Sequence, residues 1–170
     1  MKKKSFNISI VRPKMRLSDF KFRGIGMPPE RLKKIRKGLR TLHTLETMAV
    51  NIYKFQITRK VNELNLQIIV AMHNEMTHLQ DFQSKLFEYG FRPSQFRFVY
   101  WIVGLIFGFF SRLMGRKAIL ETGIWVETKA VRHYEKLLID IKWDEETRKV
   151  VEKNQADEFG HIERWESFLK

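Results

Sequence analysis

Two stretches of this chain share the pattern Glu-Thr-x-Ala-Val-x-x-Tyr, Glu46 to Tyr53 and Glu127 to Tyr134, and a Glu-x-x-His follows each, at Glu75 to His78 and at Glu158 to His161. Carboxylate with imidazole is a donor set suited to iron or manganese. Residues three apart on a helix point the same way, so the Glu and His of each Glu-x-x-His can reach one metal pair. One Glu from each of two helices plus a Glu-x-x-His from each of two others is the ligand set of a carboxylate-bridged di-iron or di-manganese centre inside a four-helix bundle. The candidate metal ligands are therefore Glu46, Glu75, His78, Glu127, Glu158 and His161. Two iron ions are the expected cofactor, with manganese as the alternative; the donor set alone does not separate either from zinc.

A single Glu-x-x-His is more often a surface pair than a metal site, and the duplicated register reverses that expectation. Four ionised glutamates in a dry interior would take up protons unless cations balanced them, so the metal-free form should be the less stable one. Seven residues make nearly two turns, which puts Tyr53 on the face of Glu46 and Tyr134 on the face of Glu127, either as core or beside the metals. Asn74 and Asp157, each just before a motif glutamate, are candidates to accept the outer N–H of an imidazole across the cluster. His43, one turn before Glu46, is expected to be a satisfied or exposed histidine, and His73 points away from the Glu75 face.

The elements that must position these groups follow from spacing. Glu46 to Glu75 is 29 residues and Glu127 to Glu158 is 31, the reach of two antiparallel helices joined by a turn. The first helix should open at Pro28-Pro29-Glu30 and run from about residue 29 to the high fifties, with Leu32, Ile35, Leu39, Leu42, Glu46, Val50 and Tyr53 on one face. The second, capped by Asn62 or Asn65, should carry Leu66, Ile69, Met72, Glu75, Met76, Leu79, Phe82 and Leu86 inward as far as Gly90. Two more helices are expected over about residues 117–141 and 144–169, the latter capped by Asp144. The aromatic and branched run from Phe98 to Phe110 falls in the crossover between the hairpins and is too short to span a bilayer, which takes roughly 20 residues.

Charge divides the chain. Fourteen of the 32 basic residues and only two of the 19 acidic ones lie in the first forty, so that segment carries +12 of the formal +13. Residues 1–27 read as a basic extended arm and residues 28–170 as one bundle domain. Such an arm suits an anionic surface. Nucleic acid is the weaker choice because no single-strand stacking surface is discernible. Arg97, Arg112, Arg116 and Lys117 flank the apolar run, so residues 97–117 together with the arm suit peripheral contact with an anionic membrane. The same run would equally serve as a cover for the bundle or as the contact of a homo-oligomer. Cysteine is absent, so thiolate metal sites and disulfides are ruled out. The Lys2 to Lys4 start is not followed by a continuous apolar stretch, and the chain is expected to stay in the cytoplasm, peripheral to the inner membrane. Gly24-x-Gly26 is too little to mark a nucleotide site.

Leu45-Glu46 through Gln56, the Glu75-x-x-His78-Leu79 helix, Arg92-Pro93 before the apolar crossover and Glu127 followed by His133-Tyr134 together resemble the demethoxyubiquinone hydroxylase (Coq7) family of ferritin-like proteins, over about residues 40–165. The resemblance implies an all-α, ferritin-like four-helix bundle with a long apolar crossover helix between its two hairpins. It also implies an O2-dependent di-iron monooxygenase of ubiquinone biosynthesis that hydroxylates the ring of a lipophilic polyprenyl quinone precursor at the membrane surface. His133 and Tyr134 are the catalytic candidates it supplies, near the centre and coupled to substrate redox. Helix geometry supports Tyr134 better, since His133 lies about 120° from the Glu127 direction. The competing readings are a ferritin-like oxidase, peroxidase or iron-handling protein, a hydroxylase of modified RNA, and a non-catalytic membrane or assembly protein.

Overall fold

The computed structural model describes residues 16–170, so the first fifteen residues of the expected arm lie outside the described residues. Among the described residues the chain is all-helical, with no strand. A short 3-10 turn at Leu17–Asp19 precedes α1 (Pro29–Gln56), α2 (Glu63–Glu88), α3 (Arg97–Met114), α4 (Arg116–Asp140) and α5 (Glu145–Leu169). Proline at the first position of α1 loses no hydrogen bond there. Asn62 caps α2 by accepting from Asn65 N, and Asp144 caps α5 by accepting from Thr147 N. The end of α2 is a Schellman turn: Gly90, at φ 74°, donates to Phe87 O, and Phe91 donates to Leu86 O at 2.7 Å.

α1 packs on α2 and α4 on α5, while α1 with α4 and α2 with α5 join the two hairpins. Two apolar clusters fill the space between them. One contains Leu39, Leu42, Phe82, Leu86, Tyr134 and Val151, and the other contains Tyr53, Ile68, Ala71, Leu120 and Trp165. The glutamates and histidines of the motifs fall in sequence between these two layers on every helix that carries them, so apolar side chains close the site above and below.

α3 runs parallel to α1 and lies along it. A Cβ at Gly104 would stand 2.5 Å from Met48 O, and one at Gly108 would meet Ile52 O and Phe55 Cβ. Further along, Gln56 Nε2 donates to Ser111 Oγ at 2.9 Å. Gly104, Gly108 and Ser111 are the buried residues of α3. The bulky ones, among them Phe98, Trp101, Ile106, Phe110 and Leu113, are exposed. The helix has 18 residues, longer than the run read from sequence, because Arg97 and Ser111 to Met114 join its hydrogen-bonded turns. By length and composition it is therefore long enough to cross a membrane, contrary to expectation.

One further expectation is corrected. Leu66 and Met76, expected to face inward on α2, are 61% and 44% exposed. The buried stripe is Leu64, Ile68, Ala71, Glu75, His78, Phe82 and Leu86, and the sequence pattern had merged it with the neighbouring stripe. The described part of the arm is also docked. Arg23 bonds Glu88 at 2.5 Å, Asp144 at 2.9 Å and Glu146, while its N–H donates to Glu88 O at 2.8 Å.

Candidate metal centre

All six predicted ligands converge, each no more than 2% exposed. They form two four-donor groups whose ligand atoms lie within 4.8 Å of one another: Glu46, Glu75, His78 and Glu158 in one, Glu75, Glu127, Glu158 and His161 in the other. The groups share Glu75 and Glu158, so α2 and α5 contribute to both, α1 to the first and α4 to the second. Both oxygens of Glu75 and of Glu158, Glu127 Oε2 and the Nδ1 atoms of both histidines are buried without a hydrogen-bond partner. His78 Nδ1 approaches Glu158 at 3.1 Å and His161 Nδ1 approaches Glu75 at 3.0 Å. Neither approach has hydrogen-bond geometry. Buried oxygen and nitrogen orphans of this kind fit a pair of cations.

The outer face of each imidazole is held from the opposite hairpin. His78 Nε2 lies 3.2 Å from Asp157 Oδ2, and His161 Nε2 lies 3.1 Å from the Asn74 side-chain amide, as the sequence predicted. Each bond leaves Nδ1 turned inward. The two ends of the Asn74 amide are interchangeable, so its oxygen can accept from His161.

The tyrosines cross over in the same way. Tyr134 of α4 donates to Glu46 of α1 at 2.6 Å, and Tyr53 of α1 donates to Glu127 of α4. The approximate two-fold breaks one turn beyond the histidines. Trp165, four after His161, donates through Nε1 to the Tyr53 hydroxyl at 3.0 Å, whereas Phe82, four after His78, only packs against the Tyr134 ring. Trp165 was not singled out from sequence; its spacing of four from His161 was the available signal.

Burial pushes Glu46 and Glu127 well above the usual carboxylate range, and the neighbouring charges of Glu158 and Glu75 add to it. Burial acts against the imidazolium forms, yet the carboxylates around them win, and His78 and His161 are each pushed up to about 12. Glu75 is drawn the other way: burial would raise it, but His161 and His78 hold it below the usual range. Burial and the adjacent carboxylates keep both phenols protonated, so Tyr53 and Tyr134 act as donors. Cations in the pocket would compete with the protons that these raised values favour on His78, His161, Glu46 and Glu127.

His133 is not in the pocket. It is exposed and lines a groove with Lys34, Lys37 and Thr41 of α1. Tyr134 takes the inward position of α4, and one residue of helical rotation carries its neighbour outward. His43 is buried rather than exposed, and no ion pair joins it to the glutamates among the described residues. Burial pulls its pKa down, which keeps it neutral. His73 is exposed and lies 2.8 Å from Ile69 O, outside the site as expected.

Among the described residues, an all-helical scaffold sets two carboxylate-imidazole groups side by side, sharing two glutamates, and each group could hold a metal ion. The family model described as "Ubiquinone biosynthesis protein COQ7" matches residues 33–164, and the chain belongs to that family. It is also 28% identical over 140 residues to the NADPH-dependent 3-demethoxyubiquinone 3-hydroxylase, mitochondrial, of Dictyostelium discoideum. That match covers 78% of this chain and 64% of the relative, so the chain spans less than two thirds of the relative's length.

Proposed function

We propose that this chain is an O2-dependent di-iron monooxygenase that hydroxylates the ring of a polyprenyl quinone precursor in ubiquinone biosynthesis, on a ferritin-like four-helix bundle. The observation that carries it is the pair of four-donor groups sharing Glu75 and Glu158, within a chain of this family. Glu46, Glu75, His78 and Glu158 would hold one ion, and Glu75, Glu127, Glu158 and His161 the other. Bound iron would supply O2 activation, and a reductant such as the NADPH in the relative's printed name would supply the electron pair.

The chain's own groups give geometry and dryness. Tyr134 and Tyr53 fix the terminal carboxylates, Asp157 and Asn74 fix the imidazoles, and the apolar layers on either side keep bulk water from the pocket. The exposed apolar face of α3 favours a lipophilic substrate and a peripheral position on an anionic membrane through residues 97–117, with the basic arm assisting. An apolar groove of about 450 Å³ between α3 and α4, walled by Phe107, Phe110 and Trp125, is the candidate approach for the quinone. Location on the cytoplasmic face of the inner membrane belongs to the same proposal.

Deleting the gene tests the reading. The expected result is a quinone pool that accumulates a precursor lacking one ring oxygen and is restored by the wild-type gene but not by Glu75→Ala. An unchanged pool with impaired iron handling would favour the oxidase or iron-handling alternative.

A further inference from the structure

Four cations of α1, Lys33, Arg36, Lys37 and Arg40, line one groove of about 460 Å³ against the start of α3. Their spacing of three and four puts them on one helix face. None of them makes an ion pair with a carboxylate among the described residues, and no acidic residue lines the groove. Their neighbours also pin the guanidinium groups: Arg40 Nε donates to Arg92 O at 3.0 Å, and Arg36 lies 5.8 Å over the Phe91 ring. The opposite wall offers the hydroxyls of Ser94 and Tyr100 beside Phe96. Phe96 and Tyr100 are exposed and continue into the outward apolar face of α3.

We infer that this groove is a headgroup site for an anionic phospholipid whose acyl chains lie along α3. The cations match a phosphodiester, guanidinium groups bind its oxygens in pairs, and the adjoining aromatic and aliphatic side chains suit the boundary between headgroup and chain. Nothing in the metal centre enters this inference. It does rest on the reading of α3 as membrane-facing.

The full-length protein is titrated with vesicles of phosphatidylcholine alone and of phosphatidylcholine with phosphatidylglycerol, using Lys33→Gln/Lys37→Gln as the groove variant. Lys149→Gln/Lys153→Gln removes two charges from α5, which packs on α4 and α2, and serves as the control. All four lysines are exposed, so folding is not at issue. The groove variant should lose about fivefold in anionic-vesicle partitioning for each cation removed, while the control loses less than about twofold. Its binding to phosphatidylcholine alone, carried by α3, should stay at the wild-type level. Equal losses in groove and control variants would mean diffuse charge attraction and overturn the site. Displacement from anionic vesicles by millimolar inorganic phosphate would overturn the headgroup assignment in favour of a free-phosphate site. Capture of RNA with no vesicle preference would overturn it as well. Failure to bind either vesicle would remove the membrane reading of α3, leaving the monooxygenase proposal to its own test.

Discussion

At the scale of residues, the centre combines charge, which protons or metal ions can balance, with orientation, which outer partners supply. Burial and neighbouring charge favour the protonated forms of Glu46 and Glu127, and the surrounding carboxylates favour those of His78 and His161, so titration of the metal-free protein with Fe2+ or Mn2+ should release protons. Apparent metal affinity should accordingly rise with pH; a weakly buffered titration with a pH indicator reads both, and release of no protons would contradict the charge assignment. Asp157→Ala should lower metal affinity by roughly 10- to 100-fold, measured by competition with a chelating dye, because His78 loses the acceptor that fixes its ring. Unchanged affinity would show that Asp157 does not orient His78. Trp165 gives one phenol a donor that the other lacks, so the two positions should differ in affinity and Trp165→Phe should bring the two steps of the binding isotherm closer together. The six converging side chains were legible in the sequence because a duplicated motif with matched spacing has few other causes. Trp165 was not, because a tryptophan four residues from a histidine looks like any core aromatic until Tyr53 is placed beside it. His133 was misplaced by the resemblance, while the helical wheel already pointed it away.

At the scale of elements, α3 seats small residues on α1 and turns its large ones outward. Replacing Gly108 with Val would drive a side chain into the α1 backbone, which cannot retreat as a flexible side chain would. The expected cost is about 1–3 kcal/mol, read as a lower urea midpoint, and an unchanged midpoint would mean that α3 does not pack this way. The sequence held that signal in the spacing of Gly104, Gly108 and Ser111, but the surrounding aromatic residues read as apolar on all sides. Docking of the arm at Arg23 left no local trace, because its partners Glu88, Asp144 and Glu146 are remote in sequence and meet only when the ends of α2 and α5 come together. Bonds from Lys21 and Arg23 hold Glu146 down to about 2, below its ordinary 4.5, and Asp144 is lowered too, by hydrogen bonds from Thr147 and Tyr89 and by the Arg23 charge, against an upward push from burial. Groups depressed in the folded state add stability above their unfolded pKa and lose it as pH falls through the folded one. Residues 16–27 should therefore become sensitive to an acid-active protease as pH drops from about 4.5 towards 2, before the helices melt. Protection that persists to the bottom of that range would contradict ion-pair docking.

At the scale of the whole molecule, each four-donor group draws on both hairpins, so metal would fasten one hairpin to the other. At a free metal concentration about a thousandfold above Kd, one site adds about 4 kcal/mol, which for a chain of this size raises Tm by roughly 10 °C. Calorimetry with and without a chelator should show that difference, and equal melting temperatures would mean that the pocket holds no ion tightly. The path of the chain sets a further condition. α2 ends beside the start of α1, yet α4 must begin at the far end if Glu127 is to stand level with Glu46, and α3 covers that distance. Its 18 residues therefore work as a ruler, rising about 27 Å. Excising one turn from it would leave the outer packing face nearly in phase, yet would drag the second hairpin about 5.4 Å along the axis and put Glu127 out of step with its counterpart.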